Sequence, residues 1–138
     1  MPMTTIEKIV ERLQKYPNLK YRVEANTITV EAPSARGFCV WLREERGKYV
    51  VGYDEGWHEH FEDETGALMC FAYGLSAEAK LVISRRGKTC YCWTLEGRTN
   101  DGWAKVGTIR RWLFPFWRRK EVVYRQNFEN IMWNWSRG

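Results

Sequence analysis

Two histidines lie among carboxylates between residues 54 and 64, and these are side chains that bind metals or transfer protons. We predict that this stretch is helical, and the helix decides how its side chains are grouped. On a helix, His58 and His60 point about 200° apart and cannot share a metal. His58 and Glu62 are four residues apart, share a face, and are the metal candidates. Two ligands do not complete a tetrahedral zinc site, so we predict no metal and no cofactor.

Few residues in this chain are candidates for catalysis. The carboxylates of residues 59–64 could form a pair for acid–base chemistry. Cys70 could pair with a histidine, although it lies in an apolar run where burial raises the pKa of a thiol. The sequence has no P-loop, G-x-G-x-x-G, G-x-S-x-G or H-E-x-x-H motif. We therefore expect a non-enzymatic protein, with a small enzyme or metal site at residues 54–64 as an alternative.

The four cysteines are predicted to be reduced thiols. No secretory signal is visible in the sequence, so we expect a cytoplasmic protein, and cytoplasmic proteins rarely hold disulfides. Cys90 and Cys92 fall in a predicted strand, where residues two apart share a face. A single C-x-C is not a zinc motif, and the other two cysteines are far away in the sequence.

A segment from 109 to 120, IRRWLFPFWRRK, combines five basic side chains with aromatic ones. Arginines and aromatic rings together can bind single-stranded nucleic acid or an anionic membrane surface. The same rings could instead fill the core or a dimer seam, with the arginines facing the acidic helix. The candidate partner-binding residues in the whole chain are Trp57, Trp112, Phe116, Trp117, Arg118, Arg119 and Trp135.

The charge is unevenly distributed along the chain, whose net charge is +5. Residues 1–80 hold 10 basic and 13 acidic side chains, whereas residues 81–138 hold 12 and 4. A basic second half can indicate an anionic partner. It can equally mean that the two halves face each other, within one chain or across a dimer.

Aromatic residues form 15% of the chain, and tryptophan is common both in cores and at interfaces. We favour a small binding protein that recognises a protein partner, or a second copy of itself in a homodimer, through an aromatic surface. A second hypothesis is a pocket for a small apolar ligand. Some of the following residues are predicted to line it: Tyr49, Tyr53, Phe71, Tyr91 and Trp93. Binding of single-stranded nucleic acid or an anionic surface through residues 109–120 is a less favoured alternative.

Two helices are predicted to position these residues. The first begins at a T-x-x-E capping box, Thr4 to Glu7, and ends before Pro17. The second covers residues 54–76, where apolar side chains recur at a spacing near 3.6 and Asp54 is a suitable N-cap. Gly66 would lie mid-helix at a cost of about 1 kcal/mol. A kink, or a loop from Asp54 to Thr65 with a helix from Gly66 onward, is therefore the alternative.

Alternating apolar residues predict strands before and after the second helix. The predicted strands cover 20–24, 27–31, 38–43, 48–53, 80–84, 89–96, 103–108 and 121–125. A short final helix is predicted from Phe128 to Trp135, and Pro115 excludes a central strand around it. The fold class is a single α+β domain over 1–138, with antiparallel sheet(s) of about 7–8 strands and two main helices packed on one face, in the order α-ββββ-α-βββ(β)-short α. The longest apolar run, 67–75, is shorter than the about 20 residues that a membrane-spanning helix needs, so no transmembrane segment is predicted.

Overall fold

The computed structural model describes residues 4–111 and 117–127, and in these residues the chain forms two helices and nine strands. In chain order they are α1 (Thr5–Leu13), β1 (Tyr21–Glu24), β2 (Thr27–Val30), β3 (Val40–Glu45), β4 (Lys48–Tyr53), β5 (Trp57–Phe61), α2 (Glu64–Leu75), β6 (Ala79–Arg86), β7 (Thr89–Thr99), β8 (Gly102–Arg110) and β9 (Lys120–Gln126). The predicted single α+β domain with antiparallel strands and two main helices is confirmed. Five strands rather than four precede α2.

The strands form two antiparallel sheets. The first sheet is a meander in the order β1-β2-β3-β4-β5, and the second has the order β8-β7-β6-β9. Two-residue turns join β1 to β2 at Ala25-Asn26 and β3 to β4 at Arg46-Gly47. Ala25, Arg46 and Gly47 in these turns have a positive φ. Turns of this kind match the right-handed twist of antiparallel strands, which is why the short connections suffice.

The helices cover one face of the first sheet and close a single core. α1 begins as predicted, because the Thr4 hydroxyl accepts a hydrogen bond from the Glu7 amide at 3.1 Å. Ile9 and Leu13 from α1 and Phe71 and Leu75 from α2 join the same buried cluster as the inner side chains of both sheets. No helix in the described residues is long and apolar enough to cross a membrane.

The predicted helix over 54–76 is wrong in its first half. Residues 54–56 form a turn, 57–61 form the strand β5, and the helix begins only at Glu64. Its N-cap is Asp63, whose carboxylate accepts a hydrogen bond from the Gly66 amide at 2.7 Å. Trp57 and Phe61 are four residues apart, a spacing that satisfies a helix and an alternating strand alike. Pairing with β4 decides in favour of the strand.

Gly66 and Asp54 consequently have other roles than predicted. Gly66 lies in the first turn of α2, not in its middle. Asp54 caps no helix, and it has a φ of +58° in the turn between β4 and β5. A loop over 54–65, the alternative, is wrong for the same reason, because β5 occupies its centre.

A bulge in the second sheet corrects a further prediction. β6 pairs with β7 so that Ser84 faces Cys92 and the next residue, Arg85, faces Cys90. The register skips Tyr91, so Cys90 and Cys92 lie on opposite faces of the sheet and not on one face. Pro115 and the predicted final helix from 128 to 135 lie outside the described residues.

The turn at Asp54 joins the two sheets. Its carboxylate accepts a hydrogen bond from the Trp93 indole at 3.0 Å, and its carbonyl accepts one from the Trp41 indole at 3.0 Å. Trp93 belongs to β7 of the second sheet and Trp41 to β3 of the first. Gly56 lies so close to Trp93 that an added Cβ would be 2.0 Å from the indole ring. The Trp93 indole of the second sheet therefore makes one polar and one steric contact with the turn of the first sheet.

Gly56→Ala should lower the free energy of unfolding by about 2–3 kcal/mol, because the new methyl group overpacks the junction against Trp93. The matched control is Gly107→Ala, where the nearest atom to an added Cβ is 4.0 Å away and the stability should change little. Urea denaturation followed by circular dichroism measures both. Equal midpoints for the two variants would contradict the role of this contact.

The two helices are linked by Glu64 at the start of α2. Its carboxylate accepts hydrogen bonds from Lys8 and, at 2.9 Å, from the Thr5 hydroxyl. Partial burial raises the pKa of Glu64, but the hydrogen bonds from Lys8 and Thr5 and the charge of Lys8 outweigh it and lower the pKa below its usual value. A lowered pKa in the folded state means that this contribution is present above the unfolded pKa and is lost as the pH falls through the folded pKa.

Glu64→Gln should reduce the free energy of unfolding at pH 7 by less than about 1 kcal/mol, since the pair is partly exposed. The difference from the unmodified protein should shrink as the pH falls through the folded pKa of Glu64, because the carboxyl group then becomes protonated in both states. Glu11→Gln, an exposed position on α1, is the control and should give only a small difference in stability. A Glu64→Gln difference that does not decrease as the pH is lowered from 7 into the acidic range would contradict the assignment.

Candidate functional site

The structure separates the predicted partner-binding residues. Trp57 is only 4% exposed and stacks on Tyr53 with ring centroids 4.6 Å apart, so it is a core residue and not an interface residue. Trp117 is 72% exposed, and Arg118 and Arg119 are exposed beside it. Trp112, Phe116 and Trp135 lie outside the described residues.

The predicted lining of an apolar pocket belongs mainly to the core. Tyr53, Phe71 and Trp93 are buried in the main hydrophobic cluster, and Tyr91 is buried at the bulge. Tyr49 lines a cavity of about 510 Å³ at the end of β3, β4 and β5, together with charged side chains such as Arg43 and Lys48. That cavity is open and charged, so the binding of a small apolar ligand stays a prediction.

On a helix, His58 and His60 would point in different directions, but the structure places both on one face of a strand. On β5, His58 and His60 are two residues apart on a strand and share an exposed face, with ring centroids 5.5 Å apart. The pairing of His58 with Glu62 on a helix face is therefore wrong, because Glu62 follows the end of the strand. In residues 4–111 and 117–127, no group of three or more potential ligands could hold a metal ion.

Cys70 is poorly suited to be a nucleophile. It lies on α2, where the Tyr53 hydroxyl donates to its backbone carbonyl and lies 3.3 Å from its sulfur. Burial raises the pKa of Cys70 to about 12, and the Tyr53 hydrogen bond offsets only part of that rise. A thiol with this pKa holds little thiolate at neutral pH, and the thiolate is the reactive form.

The second sheet has an outer face, the side turned away from the core. The register places Leu81 and Ile83 of β6 toward the core and the alternate residues of the strand on the other side. The outer-face residues used below are Lys80, Arg86, Glu96, Arg98, Trp103 and Tyr124. Neither α1 nor α2 packs on this side, because both helices belong to the core that the opposite side faces.

Cations and rings are in contact on the outer face. The Lys80 ammonium lies 4.4 Å from the ring centroid of Trp103 and 5.6 Å from that of Tyr124, and the Arg98 guanidinium lies 5.2 Å from Trp103. Contacts of this kind are stabilising cation–π interactions. Tyr124 remains 62% exposed, so its ring is accessible to a ligand.

A cavity of about 530 Å³ lies at the far end of the outer face, beside the turn between β6 and β7. Its lining residues are Arg86, Gly87, Lys88, Thr89, Trp117 and Arg118, and we call it the turn cavity. The Arg86 guanidinium donates to the Arg118 carbonyl at 3.1 Å, and the Gly87 amide donates to the Arg119 carbonyl at 3.4 Å. These bonds hold residues 118 and 119 against the turn. The contacting side chains Lys80, Arg98, Trp103 and Tyr124 are called the Trp103 cluster below. Arg86 follows Lys80 by six residues on the same face, so the cavity lies about 20 Å from this cluster.

The charge of the two parts of the chain differs in sign. Residues 79–127 carry 12 basic and 3 acidic side chains, whereas residues 4–78 carry 9 and 13. The acidic side chains of the second part are partly engaged, since Glu96 pairs with Lys80 at 3.3 Å and Glu121 with Arg85 at 2.7 Å. The second sheet is thus a strongly basic surface with accessible rings.

Sequence reasoning missed Lys80, Arg98, Trp103 and Tyr124. They lie on four strands in regions predicted only as strands, and they meet only through the register of β6 with β7 and β9 and of β7 with β8. The available signal was the alternation of basic and aromatic residues in β8 and β9. It was weaker than the dense run at 109–120.

Cys70 should react slowly with iodoacetamide in the folded protein. At pH 8 a pKa of about 12 leaves about one thiol in ten thousand ionised, so alkylation should be at least about a hundredfold slower than in urea. Cys39 and Cys90, which are less buried, serve as internal controls and should react faster. Pulse labelling and peptide mass spectrometry give all three rates. A folded-state rate for Cys70 within tenfold of its rate in urea would contradict this assignment.

Comparison with known proteins found no match for this chain among protein families, curated proteins or solved structures.

Proposed function

We propose that this protein is a small cytoplasmic, non-enzymatic binding protein whose ligand is single-stranded nucleic acid, bound along the outer face of the second sheet. The observation that carries the proposal is the excess of 12 basic over 3 acidic side chains in residues 79–127, together with accessible aromatic rings on the outer face and beside it. A ligand that combines dense negative charge with flat rings matches both features.

Charge supports this ligand class over a protein partner. Nucleic acid binding depends on Lys and Arg, which neutralise phosphates and release counterions. The centres of protein–protein interfaces are depleted of lysine and of charge generally. The outer face and the turn cavity together include Lys80, Arg86, Lys88, Arg98 and Arg118. A protein partner would have to be unusually acidic to cover them.

Aromatic rings support a single strand over a duplex. Unpaired bases stack on tyrosine and tryptophan side chains, and four-stranded sheets with exposed aromatics bind two or three bases in this way. Tyr124 and Trp117 are the most exposed of the described rings on the second sheet and beside it. The about 20 Å between the Trp103 cluster and the turn cavity is long enough for several nucleotides.

Self-association or a protein partner is the alternative. Val106 and Val122 are exposed on β8 and β9, and both strands are sheet edges in the part of the chain that the structure describes. Exposed edges with apolar residues can pair with another chain. The alternative is distinguished by mass: it requires a dimer or heteromer without nucleic acid.

Fluorescence anisotropy with an internally labelled 12-nucleotide oligothymidylate should detect binding at 50 mM NaCl. With about four phosphate contacts, the affinity should fall about 50-fold between 50 and 200 mM NaCl. Tyr124→Ala should weaken binding about tenfold through loss of base stacking. The matched control is Tyr21→Ala, an exposed tyrosine on the edge strand of the first sheet, which should leave the affinity unchanged.

Absence of binding at 50 mM NaCl, or equal losses for the two tyrosine variants, would refute the proposal. Native mass spectrometry on the same sample separates the alternatives. A homodimer with no oligonucleotide bound would support self-association. Co-sedimentation with phosphatidylserine vesicles without oligonucleotide binding would assign the basic surface to a membrane.

A further inference from the structure

We propose that the turn cavity binds a terminal phosphomonoester of the strand, so that the protein recognises a phosphorylated end of single-stranded nucleic acid. This inference rests on the proposed function. It concerns the lining of one cavity, which the binding of internal nucleotides along the sheet does not require.

The charge of the cavity exceeds what a phosphodiester needs. Arg86, Lys88 and Arg118 line a volume of about 530 Å³, and no carboxylate of residues 4–111 and 117–127 lines it. The nearby Glu121 is bound by the Nε and Nη2 atoms of Arg85, at 3.0 and 2.7 Å. A phosphodiester carries one negative charge, whereas a phosphomonoester carries about 1.5 to 2 at neutral pH. Three cations without a competing acid therefore favour the monoester.

Arg86 is held in place before any ligand arrives. One Nη1 donor is bound to the Arg118 carbonyl, and the guanidinium lies 6.0 Å from the ring centroid of Tyr91. Its Nε is buried without a hydrogen-bond partner in the described residues. A guanidinium has five N–H donors in a rigid plane that matches phosphate oxygens, and a buried donor without a partner costs stability. The Arg86 guanidinium is thus held at the cavity lining before an anion binds.

The remaining lining fits the rest of a terminal nucleotide. Thr89 supplies a hydroxyl group, which can donate to a phosphate oxygen. Trp117 presents a largely exposed indole at the same cavity, and a terminal base can stack on it. Residues 118 and 119 are fixed to the turn by backbone hydrogen bonds, so the cations on this side stand on an anchored segment.

Competition binding tests the inference. Unlabelled eight-nucleotide oligothymidylates compete with the internally labelled probe, and they carry either two hydroxyl ends, a 5′-phosphate or a 3′-phosphate. We expect one of the phosphorylated ends to compete about tenfold better than the hydroxyl form. A ten-nucleotide oligomer with hydroxyl ends has nearly the charge of the phosphorylated eight-mer, and it should not match it if the end is recognised.

Two variants separate the cavity from the sheet. Lys88→Ala and Arg118→Ala should abolish the preference for the phosphorylated end, so that the phosphorylated and hydroxyl forms compete equally. Tyr124→Ala should weaken all oligonucleotides and preserve the ratio. Binding without any end preference, or a preference that survives both cavity variants, overturns the inference while the proposed function stands. Failure of every oligonucleotide to bind overturns both.

Discussion

The contact between the Asp54 turn and Trp93 is the constraint on which the arrangement of the two sheets depends. One indole is hydrogen-bonded to a carboxylate of the first sheet and packed against a glycine that has no room for a side chain. Asn127 makes a second link, because its buried amide bonds to the backbone of Phe38 and to the Gly74 carbonyl at the end of α2. A buried polar group of this kind is costly unless every partner is in place, so it fixes one relative position of the sheets.

This junction decides which side of the second sheet is left to solvent. Because Trp93, Leu81 and Leu95 face the first sheet and α2, the alternate residues of the same strands must face away from the core. These alternate residues include the basic and aromatic ones. The acidic first part of the chain and the basic outer face of the second sheet therefore occupy different regions of the molecule. The charged halves do not need to pair across a dimer to explain the composition.

The parts of the fold that depend on local rules were predictable, and the parts that depend on register were not. The cap at Thr4 and the hairpin at Ala25-Asn26 follow from short motifs. β5 was missed because its tryptophan and phenylalanine fit both periods, and only pairing with β4 distinguishes them. In the Trp103 cluster, Trp103 lies 23 positions after Lys80 and 21 positions before Tyr124 in the sequence. No short window of sequence therefore contains the cluster. The bulge at Tyr91 also depends on strand pairing, and it places the two thiols of the C-x-C motif on opposite faces of the sheet.

The two ends of the outer face differ in the ion pairs that an anion must displace when it binds. At the Trp103 end, Lys80 is paired with Glu96 and Arg98 lies 3.8 Å from Glu78, so a phosphate must displace a carboxylate. The Arg98–Glu78 pair is exposed and contributes little to stability, so its exchange for a phosphate is nearly neutral. Binding at this end therefore depends on counterion release and stacking. In the turn cavity no carboxylate of the described part of the chain competes, and Arg86 is already oriented by a carbonyl group and a ring. A ligand therefore gains more binding free energy per charge in the cavity than along the sheet. This difference is the physical basis for expecting the end of a strand, and not its middle, to occupy the cavity.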